Sequence, residues 1–319
     1  MGGRSVTLGA VWFGRITSTT PRASLRLVSH PEANLYPPDD PIAFTIPLLN
    51  FPVRWFGLII MAAVLVGAWV ASREARRRNL NPDVVWEGVV WVLIGGVIGA
   101  RLYHVLTPPP SMGITTLDYL RNPIWILNIP GGGLGIPGGI AGGGIGLYLF
   151  ARHKRLDFLA LADLGGLVAP LGQAIGRTAD WFNQELYGPP TTLAWGMYID
   201  EPYRIAPYTD LTRYPLATTR FHPLWLYESL WSALGFGVLY AVNRRLGKHL
   251  LPGDLFWLYL LWYPTGRFFL EFIRLDRPSI LGISIAQGLA LIVALVAASM
   301  LVYRHRIARP AQAGEPKVE

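Results

Sequence analysis

The sequence predicts an all-α polytopic membrane protein of about seven transmembrane helices, N-terminus outside and C-terminus cytoplasmic, with a small external head segment. Three observations carry this reading. Only 15% of the 319 residues are charged and 52% are apolar, against roughly 25% charged in soluble domains; the mean hydropathy is +0.35. Several apolar runs approach the ~20 residues that a bilayer core requires. Basic residues, finally, recur after every second run.

Taken in order, residues 1–53 form an external N-terminal segment. It contains Pro and Ser and lacks a basic stretch followed by an apolar stretch and a small-residue cleavage site, so no short signal peptide is expected. The membrane domain spans 54–305, with helices expected near 55–71, 84–106, 134–151, 159–175, 223–243, 253–271 and 283–303. Arg73, Arg76, Arg77 and Arg78 follow the first helix, and Arg152, Lys154 and Arg155 follow the third. Arg244, Arg245 and Lys248 follow the fifth, and Arg304, Arg306 and Arg309 follow the seventh. This alternation is the positive-inside pattern. It accounts for the net charge of +8 as a topology signal and speaks against a nucleic-acid partner.

The third helix opens with GGGLGIPGGIAGGGIG at 131–146, ten glycines in sixteen positions. Gly135, Gly139 and Gly143 lie four apart, as do Gly138, Gly142 and Gly146. Small residues at this spacing let helices approach closely in lipid; at the outer end, near Pro137 and Gly138, free backbone N–H groups suit an anion. A Pro-, Tyr- and Thr-rich insertion at about 187–221 is expected to be a folded head or a lid, and 306–319 a polar cytoplasmic tail. The absence of cysteine removes disulfides and a thiol nucleophile of the chain's own.

By topology, polar residues collect at the external membrane boundary. Arg101 and His104 close the second helix; Arg177, Asp180, Asn183 and Glu185 follow the fourth. His222, Tyr227 and Glu228 begin the fifth, and Arg267, Glu271 and Arg274 end the sixth. An arginine in a membrane helix costs roughly 2.5–3.5 kcal/mol at the centre and less near the edge, so several together imply an anionic partner. Arg267 and Glu271, four apart, can pair on one helical face. Arginine forks bind phosphate, and a neighbouring carboxylate can act as a base. A phospholipid substrate fits this set. An outward-facing anion or lipid transporter is the alternative, disfavoured by the absence of an internal repeat and of midplane polar residues.

The motifs themselves resemble those of a known family. GRTADWFNQELYG at 176–188 is similar to the signature of prolipoprotein diacylglyceryl transferases, Gly-Arg-x-Gly-Asn-Phe-x-Asn-x-Glu-x-x-Gly. RWFGLII, IGARLYHVL, GGGLGIPGG, HPLWLYE and GRFFLEFIR resemble the same family in order, from Arg54 to Arg274. The resemblance implies a bacterial inner-membrane enzyme of lipoprotein biosynthesis with its site near the outer leaflet. It would move the diacylglyceryl group of phosphatidylglycerol onto the lipobox cysteine of a prolipoprotein signal peptide and release glycerol phosphate, with no metal or organic cofactor. Only about 3% of a thiol with pKa ~8.5 is ionised at neutral pH, so a base is needed, and the departing phosphate calls for fixed cations.

The implied catalytic set is Arg177 and Arg267 for the phosphate, with Glu185 and Glu271 orienting the arginines or taking the thiol proton. Arg101, Gly138, Asp180, Asn183, Gly188, Phe56, His222 and Tyr227 are the implied substrate-binding set. Three positions depart from the family pattern: Phe56 where Tyr is common, Asp180 where Asn is common, and Pro137 where a candidate base histidine often stands. His104, Glu185 or Glu271 is the expected replacement base. A catalytically inactive lipid-binding relative is the reading those departures would otherwise permit.

Overall fold

In a medium without water every backbone N–H and C=O must be satisfied within the chain, and the apolar stretches are accordingly helical. A computed structural model describes residues 36–38, 40–48, 50–109, 112–128, 132–275, 277, 279–280 and 283–308. Most of the expected N-terminal segment, Gly131 of the glycine run and the tail beyond 308 lie outside the described residues. The elements run β1 (Ile42–Ile46), β2 (Phe51–Arg54), α1 (Trp55–Arg77), α2 (Asp83–Leu106), α3 (Thr116–Arg121), α4 (Ile124–Leu127), α5 (Ile136–Lys154), α6 (Phe158–Gly176) and α7 (Ala179–Phe182), then α8 (Leu224–Leu246), α9 (Asp254–Leu270), β3 (Ser279–Ile280), β4 (Ile283–Ser284) and α10 (Ile285–Val302). Each of the seven apolar stretches is a helix. Among the described residues, Trp55–Arg77, Asp83–Leu106, Phe158–Phe182 and Ile285–Arg306 are long and apolar enough to cross a membrane.

The described residues divide into two compact units, one made of 80–161 and the other of 36–79 and 162–308. In the first, α2 and α5 pack along a seam of glycines. A Cβ added at Gly95, Gly99, Gly138 or Gly142 would strike the facing backbone: Gly99 against Gly138, and Gly95 against Gly142. The Gly138, Gly142 and Gly146 series is buried. In the other series Gly139 has only ordinary contacts with α2, whereas a Cβ at Gly135 would strike the Tyr103 ring. Pro137 sits in the first turn of α5, where its fixed φ and missing donor cost nothing.

In the second unit, α8 and α9 are joined by two tryptophans that exchange hydrogen bonds. Trp231 Nε1 donates to the Trp262 carbonyl at 3.2 Å, and Trp262 Nε1 to the Trp231 carbonyl at 3.1 Å. The rings stack with centroids 4.6 Å apart. Each ring lies over a glycine of the other helix, Trp231 on Gly266 and Trp262 on Gly235. Ser229 Oγ donates to the Ala174 carbonyl at 2.7 Å, tying α8 to α6. At the far end of these helices Asp163 accepts from the Gly253 and Phe256 N–H groups at 2.9 and 3.1 Å, capping α9. Arg304 and His305 close on the fully buried Asp254 at 3.3 and 2.6 Å.

The insertion at 187–221 is folded. Tyr187, Met197, Ile199 and Phe221 form a core with Trp225 of α8, and Tyr187 Oη donates to the Tyr203 carbonyl while accepting from the Ile205 N–H. Arg204, buried, donates to the Ile199 and Tyr214 carbonyls at 2.8 and 2.5 Å. These contacts pack the segment against the start of α8.

The α2–α5 seam makes a direct prediction. Gly142→Val places side-chain carbon against the Gly95 carbonyl and should cost at least about 1–3 kcal/mol by overpacking. Gly144→Ala, where nothing lies within 4 Å, should not. Thermal midpoints of the two variants in detergent separate these outcomes.

Candidate active site

The second unit gathers the arginines of α6 and α9 around one carboxylate of α8. Glu228, its side chain 4% exposed, lies 2.7 Å from Arg177 Nε and 2.6 Å from Arg267 Nη1. Arg267 Nη1 donates a hydrogen bond to Glu228 Oε1. The Arg177 contact to Oε2 is close but not aligned as a hydrogen bond, so proximity of charge holds it. Arg177 Nη1 also donates to Asp180 Oδ2 at 3.2 Å. Arg267 Nη2 lies 3.0 Å from Glu271 Oε2, again without hydrogen-bond alignment.

The local chain explains each placement. Arg177 directly follows α6, and the chain passes into α7 through Thr178, so Asp180 returns three residues later beside the guanidinium. The pair Arg267 and Glu271 meets at the expected spacing, although the helix tightens into a 3₁₀ turn at Glu271–Ile273. Ser284, leading into α10, donates its hydroxyl to Glu271 Oε1 at 2.8 Å. Glu271, 1% exposed, is thereby locked from two sides. Each guanidinium carries five N–H donors, and among the described residues the carboxylates engage two nitrogens of each arginine.

Glu185 is not in this ion-pair network. Its backbone N–H donates to the Asp180 carbonyl at 2.9 Å, and its carboxyl hydrogen-bonds Asn183. By surface area Glu185 is exposed, yet protein atoms crowd its carboxyl. Partial desolvation first, and the Asp180 charge second, push its pKa up to about 7, opposed by the Asn183 hydrogen bond. The flanking backbone is strained: Gln184 and Leu186 have φ of 53° and 52°, left-handed values that non-glycine residues avoid. Gln184 is held there by reciprocal 2.7 Å hydrogen bonds with Asp200, and the Leu186 carbonyl by the Trp225 N–H. Such strain persists only where surroundings impose it, and it clusters at active sites.

The remaining candidates divide by unit. His222 Nδ1 and Trp195 Nε1 both meet the Tyr227 hydroxyl at 3.0 Å, bracing the head on α8. Gly188 donates to the His222 carbonyl at 2.9 Å, and a Cβ there would come within 2.9 Å of the Ile273 carbonyl. Phe56 is 38% exposed on α1; its neighbour Trp55 is the ring that stacks on Phe182. In the first unit, buried Arg101 donates to the carbonyls of Trp125, Ile126, Gly132 and Gly133, so its fork organises the glycine loop. His104 Nε2 meets Tyr119 Oη at 3.1 Å in a buried pair. Gly138 is buried in the α2–α5 seam. Among the described residues no group of His, Asp or Glu side chains is placed to hold a metal ion.

Glu228 is the shared counter-ion, a place that the sequence reading left unassigned. Its signal was available: two arginines in apolar helices require a carboxylate at their depth, and Glu228 lies in α8 beside the motif tyrosine. The role of orienting the arginines belongs to Glu228, Asp180 and Glu271, while Glu185 pairs with neither.

A helical membrane protein with a buried arginine–carboxylate cluster is the class these features define. The pattern of the prolipoprotein diacylglyceryl transferase family matches residues 41–303, and the chain belongs to that family. It is 38% identical over 301 residues to a phosphatidylglycerol–prolipoprotein diacylglyceryl transferase of Chloroflexus aggregans, covering 89% of this chain and 95% of the relative. Proteins of the same description from Symbiobacterium thermophilum and Enterococcus faecalis are 37% and 35% identical, covering 86% and 81% of this chain and 96% and 89% of theirs.

Removing the shared carboxylate should be costly. Glu228→Ala leaves two guanidiniums without their common partner, and breaking a buried pair costs about 3–5 kcal/mol. Asp180→Asn, which keeps an acceptor beside Arg177, should cost well under half as much. Denaturation of both variants in matched detergent checks the ranking.

Proposed function

We propose that this chain transfers the diacylglyceryl group of phosphatidylglycerol to the lipobox cysteine of a prolipoprotein and releases glycerol phosphate. The convergence of Arg177 and Arg267 on Glu228 carries the reading at the level of the site. Donor and acceptor follow from the names of the relatives. The alternating basic loops support seven spans in the bacterial inner membrane, with the head segment external and the site near the outer leaflet.

In this mechanism the phosphodiester anion binds the N–H donors that Arg177 and Arg267 leave over. Arg177 and Arg267, with Arg274 acting on Asp180, balance the charges of Glu228, Glu271 and Asp180. Among these three arginines and three carboxylates no positive charge is left over, so the incoming phosphate displaces a carboxylate. The Arg177–Asp180 contact is the longest of the four, at 3.2 Å, and yields first.

The peptide thiol gives its proton to Glu185, whose pKa near 7 leaves a large ionised fraction at neutral pH. The thiolate attacks the glycerol carbon that carries the phosphate. A C–S bond forms, the C–O bond breaks, and the electron pair leaves on the phosphate, where the two arginines stabilise the growing charge. Asn183 steadies Glu185. His104, held by Tyr119, and Arg101, spent on the glycine loop, serve the scaffold.

Three outcomes are expected. Arg177→Ala and Arg267→Ala each lower transfer by about 10²-fold or more, and lysine restores little because it lacks the planar fork. Asp180→Asn retains or raises activity by freeing Arg177 for phosphate. Glu185 works only when ionised, so activity falls as pH drops through about 7. In Glu185→Gln the rate drops roughly 10²–10⁴-fold, and the acid limb moves toward the thiol value of ~8.5. The deciding experiment incubates purified protein with phosphatidylglycerol vesicles and a lipobox peptide and looks for the diacylglyceryl mass increase. No increase with folded protein, or one insensitive to Arg177→Ala and Arg267→Ala, refutes the reading.

A further inference from the structure

The opposite ends of α1 and α8 from the Glu228 cluster enclose a second basic site. A cavity of about 240 Å³ opens there, lined by Arg73, Arg77 and the carboxylate Glu74 of α1 and by Arg244 of α8, with Trp69, Phe236 and Tyr240 on its walls. At about 30 Å³ per water, that is room for a phosphate group and several neighbouring atoms. Arg77 is already neutralised, its Nε and Nη2 donating to Glu74 at 2.9 and 2.7 Å.

Arg73 and Arg244 are in a different state. The Arg73 guanidinium lies 3.7 Å above the Trp69 ring, and Arg244 Nε and Nη2 rest on the Tyr240 hydroxyl at 3.1 and 2.8 Å. Among the described residues neither has a carboxylate partner. Aromatic groups thus hold two uncompensated forks at the rim of one cavity. The C-termini of α1 and α8 carry partial negative charge, which makes these arginines the source of any anion affinity here.

The wall identifies the anion. Trp69, Val70 and Phe236 also line the cavity, and Trp69 is 48% exposed on a helix long and apolar enough to cross a membrane. A free phosphate ion has no use for that surface, whereas a lipid would lay its glycerol and first methylenes against it. Basic pockets between membrane helices hold anionic headgroups in this way. We propose that the α1–α8 cavity binds the headgroup of an anionic phospholipid, as a site separate from the Arg177–Arg267 cluster.

Native mass spectrometry of the detergent-purified full chain tests this with phosphatidic acid, phosphatidylcholine and inorganic phosphate as probes. Wild type should retain one more phosphatidic acid than Arg73→Gln/Arg244→Gln, whose affinity for that last lipid should be lower by roughly 10–30-fold. Arg73→Lys/Arg244→Lys should keep most of the binding. Val70→Trp, which fills the cavity and leaves the charges in place, should lose it. Retention of phosphatidylcholine should be equal in all four proteins, and millimolar inorganic phosphate should not displace the extra lipid. Equal phosphatidic acid retention by wild type, the glutamine variant and Val70→Trp would overturn the proposal. Displacement by inorganic phosphate would do the same, assigning the cavity to a free ion.

Discussion

Two guanidiniums at the ends of apolar helices keep their charge wherever they are placed, so burying them calls for a counter-ion, and Glu228 is the carboxylate that they share. One buried side chain contacts Arg177 of α6 and Arg267 of α9 at 2.7 and 2.6 Å. The packing around it keeps the three helices at this separation. Ser229 on the α6 carbonyl and the Trp231–Trp262 exchange across α8 and α9 flank Glu228 within a turn. A shift of α8 by one residue would break these hydrogen bonds and strand both arginines. Glu271, gripped by Arg267 and Ser284, extends the same network to the start of α10.

The second unit is polar at both ends of its helices and apolar between. One end holds the Arg177–Glu228–Arg267 cluster; the other holds Glu74, Arg78, Asp163, Asn243 and Asp254. Their chemistry differs. At the far end the acidic groups are used up on helix starts and on arginines of the last turns, as Asp163 is on the α9 N-terminus. At the near end the arginines retain unused donors, and strained backbone on either side of Glu185 follows a few residues after Arg177.

Much of this was legible in the chain. Lipid imposes long apolar runs and alternating basic loops, so helix positions follow from composition with errors of a few residues, as with 84–106 against Asp83–Leu106. Arg267 with Glu271 was legible because helical spacing is local. Glu228 was harder, because which carboxylate two distant arginines share depends on how three helices pack. Arg101 and His104 show the converse. Both have the residue types of a site, and both are consumed by carbonyls and a tyrosine brought from 15–32 residues away.

The sequence by itself determined the class, the helices, the family motifs and the residue types at the site, because burial in lipid and backbone satisfaction are properties of each segment alone. Tertiary structure decided the assignments: Glu228 as the shared counter-ion, Glu185 apart from the arginines with a raised pKa, and Gly138 in a helix seam. The physical reason is that charge partners and desolvation depend on atoms far away in the chain. Those neighbours exist only once the helices have packed.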